Sequence, residues 1–217
     1  MPSIALTTFA VTFTTFLPMV DPFGNMSIFA VMTEGMPRAA QRRVAYKACA
    51  FALGIVLAFG FFGQELLEIF GITTNGLKIV GGIIFLIMGY DMLQARLART
   101  KVSNPPTADE VTELDDLALT PLAIPLLAGP GALTNAVLRA EAAQGPMELA
   151  AFTAGTVAVM AFTCACLIGA GKIAQWIGPA GTKVILRLMG LILMVIAVES
   201  FFDGLTPIVR AMIHGDV

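Results

Sequence analysis

The sequence predicts an all-α membrane protein: six transmembrane helices forming two inverted three-helix repeats, with helices one and four broken near the bilayer midplane. Of its 217 residues, 57% are hydrophobic and only 13% charged, where soluble domains carry about 25% charged and roughly 45–50% apolar residues. Predominantly apolar runs near the roughly 20 residues that cross a bilayer occur six times, at about 4–33, 46–64, 72–95, 118–139, 148–171 and 184–209. The chain also reads as written twice. Pro18 is answered by Pro125, Gly24 by Gly131, Gly63 by Gly171, Lys78 by Arg187, Gly81 by Gly190 and Ile87 by Ile196, at an offset of 107 to 109 residues. Three spans per copy force the second copy to enter the membrane from the opposite side, so the repeats are inverted about an axis in the membrane plane. Residues 1–95 form the first repeat, 96–117 a linker and 118–217 the second repeat.

Span one lacks a basic n-region, and its apolar stretch is too long for the 7–15-residue core of a cleavable signal, so it is expected to be retained. From Pro2 to Thr33 the only charge is Asp21. As one straight helix this stretch would reach roughly 48 Å, against a hydrocarbon core of about 30 Å. A break between Pro18 and Gly24 resolves the excess. Pro18 cannot donate a hydrogen bond and is expected to end the outer half-helix, and Asp21 before Pro22 is an N-cap beside a first-turn proline. The second half-helix is then expected to begin near Asn25. Its N-terminus falls at mid-bilayer, where unpaired amides and a positive dipole end need a polar partner. Asp21 can cap them, and Asn25 adds a donor and an acceptor.

In spans two and three, Lys78 reads as snorkelling to the interface, as do Lys183 and Arg187 later in the chain. Gly81-Gly82, like Gly169-Ala170-Gly171, reads as a close helix contact. Asp91, preceded by Tyr90, sits near the inner boundary. The linker holds Asn104-Pro105-Pro106 and then Asp109, Glu110, Glu113, Asp115 and Asp116, a solvated connector by composition.

Span four carries the second break, in Gly129-Pro130-Gly131-Ala132. A proline stands at the first helical position, but a glycine stands where the cap belongs. No side chain is available for the amides of Gly131, Ala132 and Leu133. A ligand carboxylate fits such a turn, because the amides and the dipole favour an anion and glycine allows close approach to the backbone. Thr134 in the same turn adds a hydroxyl, while Asp21 in the matching turn of the other repeat can meet a cation. One anion-seeking and one cation-seeking end have the polarity of a zwitterionic amino acid. Two bland readings stand beside this one: Gly and Pro are common in membrane helices as packing kinks, and Asp21 serves equally as a plain N-cap. In span six, Glu199 and Asp203 are four apart on one face toward the outer end, where they border the aqueous side.

Ten of the 13 Lys and Arg residues (Arg38, Arg42, Arg43, Lys47, Arg96, Arg99, Lys101, Lys172, Lys183 and Arg187) follow spans one, three and five, leaving Lys78, Arg139 and Arg210 on the other side. The positive-inside rule then makes the linker cytoplasmic and turns both termini to the periplasm or the extracellular space. Cys49, Cys164 and Cys166 lie in apolar runs and read as small packing residues, not as a disulfide framework.

Three stretches together resemble the MarC/SnatA family of multi-pass inner-membrane proteins, within the wider LysE-type transporter group. These are Asp21-Pro22-Phe23-Gly24-Asn25 with the basic loop from Arg38 to Arg43, Gly81-Gly82, and Pro121-Leu122-Ala123-Ile124-Pro125-Leu126-Leu127-Ala128-Gly129-Pro130-Gly131-Ala132. The resemblance spans essentially the whole chain, and its span-four motif is the more specific. It implies transport of small neutral amino acids such as glycine or alanine, with the two broken helices forming the site. It marks Gly24, Asn25, Gly129 and Gly131 as site residues, to which the residue-level reading adds Asp21, Phe23, Pro130, Ala132 and Thr134. The chain departs from the family pattern at Met26-Ser27-Ile28-Phe29, which has no proline after the asparagine.

An enzyme is not expected. The only histidine, His214, lies in the C-terminal tail, so neither an H-E-x-x-H site nor a His-based triad is available within the membrane. Tyr90-Asp91 lacks the Gly-x-Gly-Asp partner of an intramembrane aspartyl protease. No metal, cofactor or nucleic-acid partner is expected; the expected partners are the bilayer and a zwitterionic substrate. Proton or Na⁺ coupling would draw on Asp21, Asp91 or Glu199. The alternatives are an exporter of other small metabolites or drugs and a channel-like pore.

Overall fold

The computed structural model describes residues 2–33, 35–94 and 118–214. These residues form seven α-helices and one π-helical segment, with no strand among them. The linker 96–117, with its Pro-Pro pair and acidic cluster, lies outside the described residues.

Helix α1 (Pro2–Val20) runs through Pro18, and α2 spans Pro22–Met32. The expectation that Pro18 ends the first half-helix is therefore corrected: the chain stays helical to Val20, and the Asp21 amide still reaches Leu17 O at 3.1 Å. The missing donor of Pro18 removes one bond without stopping the ladder. The break falls at Asp21, the only non-glycine with positive φ among the described residues, at +48°. The second half-helix accordingly begins at Pro22, not near Asn25.

Helix α3 (Arg38–Ile69) is 32 residues long, extending the expected span by about two turns at its start, which carry Arg38, Arg42 and Arg43, and by more than one at its end. It closes at Gly71, whose φ of +66° turns the chain while Ile72 N returns to Leu67 O at 2.9 Å. Thr73 then caps α4 (Thr74–Leu93) by accepting the Gly76 amide at 3.1 Å.

After the linker comes a π-helical segment, Ala118–Leu127, whose wide pattern closes with Ala128 N bonded to Ala123 O at 2.9 Å. The segment contains two prolines, Pro121 and Pro125, and proline, lacking an amide donor, disfavours regular α-helix. Helix α5 (Pro130–Glu141) starts after Gly129, α6 spans Pro146–Ile168, and α7 spans Ala170–His214 with an interruption at Gly178, φ +70°.

Five helical stretches are long and apolar enough to cross a bilayer: Ile4–Ala30, Arg38–Ile69, Thr74–Leu93, Pro146–Ile168 and Ala180–Ile213. The stretch expected as span four is divided at 128–129 into pieces of 10 and 12 residues, each too short alone. The main core joins α1 and α2 to α3, the π-helical segment, α5 and α6 around Phe16, Phe29, Leu127 and Phe152. A second cluster holds α4 against α7 through Phe85, Met92, Leu193 and Ala197. Backbones approach closely there: a Cβ on Gly190 would lie 2.7 Å from Gly89 O, and one on Gly82 2.7 Å from Ala197 O. Outside these cores, Phe62, Ile87, Leu188, Val195 and Phe202 are exposed. Apolar surface on this scale, on helices of this length, is lipid-facing. The protein is an integral membrane protein.

Candidate functional site

The two helix breaks meet. Asn25, fully buried one turn into α2, donates from Nδ2 to Val20 O at 2.6 Å and to Leu126 O, at the end of the π-helical segment, at 3.4 Å. Both partners are carbonyls, which fixes which end of the amide is the donor. Asn25 Oδ1 is left buried with no hydrogen-bond partner. A buried acceptor without a donor costs about 1–3 kcal/mol, so this atom marks a place where a donor belongs.

The two turns are built differently. At the first, Asp21 is buried and its Oδ1 accepts the Gly24 amide at 3.0 Å, while Asn25 N reaches Asp21 O at 3.0 Å. The carboxylate lies so close over Gly24 that a Cβ there would overlap Asp21 Oδ2, which explains the glycine. Phe23 is half-buried, its ring edge-on to Phe162 at 6.2 Å. At the second turn, Gly129 is the N-cap, with no side-chain hydrogen bond, and Pro130 follows at the first helical position. The Leu133 amide bonds to Gly129 O at 3.0 Å. The expected trio of free amides is thereby corrected to two, because Leu133 already lies within the helical ladder. The Gly131 and Ala132 amides have no partner among the described residues.

Gly129, Gly131, Ala132 and Thr134 are buried, and Pro130 is exposed. Gly131 faces packed side chains, with its Cβ position 3.0 Å from Met88 Sδ and 3.3 Å from Phe85 Cε1. Thr134 presses its methyl group against Gly81. Of the residues proposed for ion coupling, Asp91 and Glu199 are not brought together. Asp91 lies 13 positions along α4 from Lys78, roughly 20 Å at the helical rise, and Ser200, next to Glu199, is tied to the Lys78 end through a 3.1 Å bond to Lys78 O.

Two residues escaped the sequence reading. Asn135, buried on α5, donates to Thr15 Oγ1 of α1 at 3.4 Å, tying the second broken helix to the first. Its signal was a lone amide inside an apolar run. Phe85, buried on α4, covers Gly131, and nothing in its local sequence sets it apart.

Comparison with known proteins places this arrangement. The model of the MarC family, described as integral membrane proteins, matches residues 6–209. The chain belongs to the MarC family. It is similar to a UPF0056 membrane protein of Methanocaldococcus jannaschii, 33% identical over 91% of this chain and 95% of the relative. The UPF0056 membrane protein YvbG of Bacillus subtilis is 34% identical over 85% of this chain and 88% of its own length. A UPF0056 membrane protein of Pyrococcus abyssi is 31% identical over 92% and 95%. No solved structure matches the chain.

Proposed function

We propose that this MarC-family protein is a secondary transporter of small neutral amino acids, of the glycine and alanine class, working by alternating access around the two interrupted helices. The observation that carries the reading is the junction itself. An unpartnered Asn25 Oδ1 and two unpaired amides, of Gly131 and Ala132, belong to two helix breaks joined by the Asn25–Leu126 bond. The oxygen seeks a donor such as an ammonium group, and the amides at a positive dipole end seek an anion such as a carboxylate. Asp21, one turn before Asn25, adds the negative charge of the cation-seeking side. Phe23, Gly24, Pro130 and Thr134 complete the two turns.

The six-span inverted repeat is part of this reading, and the helix pairing supports it. α1 packs on α6 and α3 on α5, while α2 packs on α7 and α4 on α5; α4 and α7 pack on each other. This pattern is unchanged when the spans of the first repeat are exchanged in order with those of the second. Placement in a cell inner membrane with both termini outward rests on the lysine and arginine bias. Coupling to a proton or Na⁺ belongs to the same proposal, as does the absence of enzyme chemistry.

Binding to the purified protein tests the junction. Glycine is expected to bind measurably, and glycinamide, which keeps the ammonium but lacks the carboxylate, to lose most of the affinity because the amides then face a neutral partner. Equal affinity for the two would remove the carboxylate from the site and favour the pore or the efflux of other small molecules.

A further inference from the structure

A cavity of about 240 Å³ opens between α4, α5 and α7, and four charged side chains line it: Lys78, Arg139, Glu199 and Asp203. Taken one by one in the sequence, Lys78 is a snorkelling residue and the two carboxylates edge the aqueous side. In the structure they converge. All four are described residues, and none is joined to another by an ion pair. Two cations and two carboxylates around one small cavity, not neutralising each other by contact, form a surface suited to a molecule that carries both charges.

The cavity also has a direction. Thr74 Oγ1 donates to Glu141 Oε1 at 2.7 Å, so the turn before α4 and the turn after α5 share one end of the bundle, and Lys78 and Arg139 lie within about one turn of that end. Deeper in stand Asn135, which is bonded to Thr15 of α1, and Phe85, which is 2% exposed. Phe85 lines the cavity, and its ring lies 3.3 Å from the Cβ position of Gly131, where the unpaired amides of α5 begin. Phe85, with Met88 beside it, therefore stands between the charged cavity and the second helix break.

We propose that this cavity is an access vestibule and first binding subsite for a small zwitterion. Lys78 and Arg139 receive the carboxylate, Glu199 and Asp203 receive the ammonium group, and Phe85 is the barrier between the vestibule and the broken turn of α5. The proposal rests on the transport reading for its ligand, whereas the barrier stands on geometry alone. Movement of the Phe85 ring, with Met88 beside it, would join the two polar regions, and a cavity of about 240 Å³ has room for a small amino acid such as glycine or alanine.

Thiol accessibility tests the barrier without needing a substrate. In a chain with Cys49, Cys164 and Cys166 replaced by alanine, Ser200→Cys reports on the vestibule and Ala132→Cys on the turn behind Phe85. With a small charged methanethiosulfonate on the purified protein, Ser200→Cys should react readily and Ala132→Cys slowly. Adding Phe85→Ala to Ala132→Cys should raise its labelling rate by about tenfold or more, since thiol reactivity follows access. Phe85→Leu, which keeps an apolar side chain in the second core, should give a smaller rise and guards against a folding defect. Unchanged labelling of Ala132→Cys in both Phe85 variants overturns the barrier. For the subsite, saturating glycine should slow labelling of Ser200→Cys, and Arg139→Gln and Glu199→Gln should each raise the KM for glycine several-fold with kcat nearly unchanged, the mark of lost ground-state binding. If glycine is transported but neither protects Ser200→Cys nor responds in KM to these variants, the subsite fails while the transport reading survives. If no amino acid binds or moves, yet the labelling pattern holds, the transport reading fails and the barrier remains.

Discussion

Asp21 combines a backbone conformation that disfavours side chains with a side chain that the fold uses, and a substitution series separates the two. Its φ of +48° is left-handed, which costs a residue bearing a Cβ roughly 1–2 kcal/mol, with Asp and Asn least penalised. Its Oδ1 caps the Gly24 amide at 3.0 Å, and losing such a cap to alanine costs about 1 kcal/mol, to glycine only a few tenths. Asp21→Ala thus loses the cap and keeps the full left-handed penalty, and is expected to destabilise by about 1–2 kcal/mol. Asp21→Gly loses the cap but relieves the penalty, so its stability should stay within about 1 kcal/mol of the parent. Asp21→Asn caps equally well and tolerates the conformation, so it should unfold like the parent. In thermal unfolding, 1 kcal/mol corresponds to about 2–4 °C for a chain of this size. The order Asn ≈ Gly > Ala is therefore resolvable. Equal losses for Gly and Ala would refute the backbone argument. Transport by the stable Asp21→Asn variant should be impaired, because the proposed negative charge is gone; normal transport would reduce Asp21 to a cap.

A cysteine introduced into the 96–117 linker should be shielded from an impermeant thiol reagent in intact cells, while one placed after His214 is labelled; the reverse pattern would invert the orientation and leave the repeat intact. Gly190→Val should abolish the folded protein, because its Cβ would meet Gly89 O at 2.7 Å and Leu93 N at 2.9 Å, both backbone atoms that cannot step aside. Gly54→Ala, with nothing within 4 Å, should be neutral or stabilising by up to about 1 kcal/mol. At Gly131, alanine should be tolerated because Met88 is flexible, whereas valine should cost folded yield by crowding Phe85.

The interruptions of helix at Asp21 and at 128–129 were legible because Asp21-Pro22 and Gly129-Pro130 are strong local signals that act through backbone chemistry within a few residues. The same locality explains the misreadings. Pro18 looked like a terminator, yet the helix continues past it to Val20 because packing around Phe16, Met19 and Val20 outweighs one missing donor. The π-helical form of 118–127 depends on two prolines acting together, and the interruption at Gly178 on a conformation that any glycine can take. The α4/α5/α7 cavity was invisible for a different reason. Lys78, Arg139 and Glu199 are about 60 residues apart in sequence and meet only through the α4–α7 contact made by Gly82, Gly89 and Gly190 and the α4–α5 contact of Gly81 with Thr134. Side chains that converge across helices leave no spacing to read.

Counterflow in proteoliposomes tests the central claim most directly. Vesicles preloaded with unlabelled glycine should accumulate external labelled glycine transiently and saturably, alanine should compete, and Asn25→Ala should suppress the signal by removing both the Leu126 bond and the unpartnered oxygen. Labelled glycine entering at a rate linear in concentration, unaffected by the internal pool and unchanged in Asn25→Ala, would contradict a carrier built on the joined helix breaks.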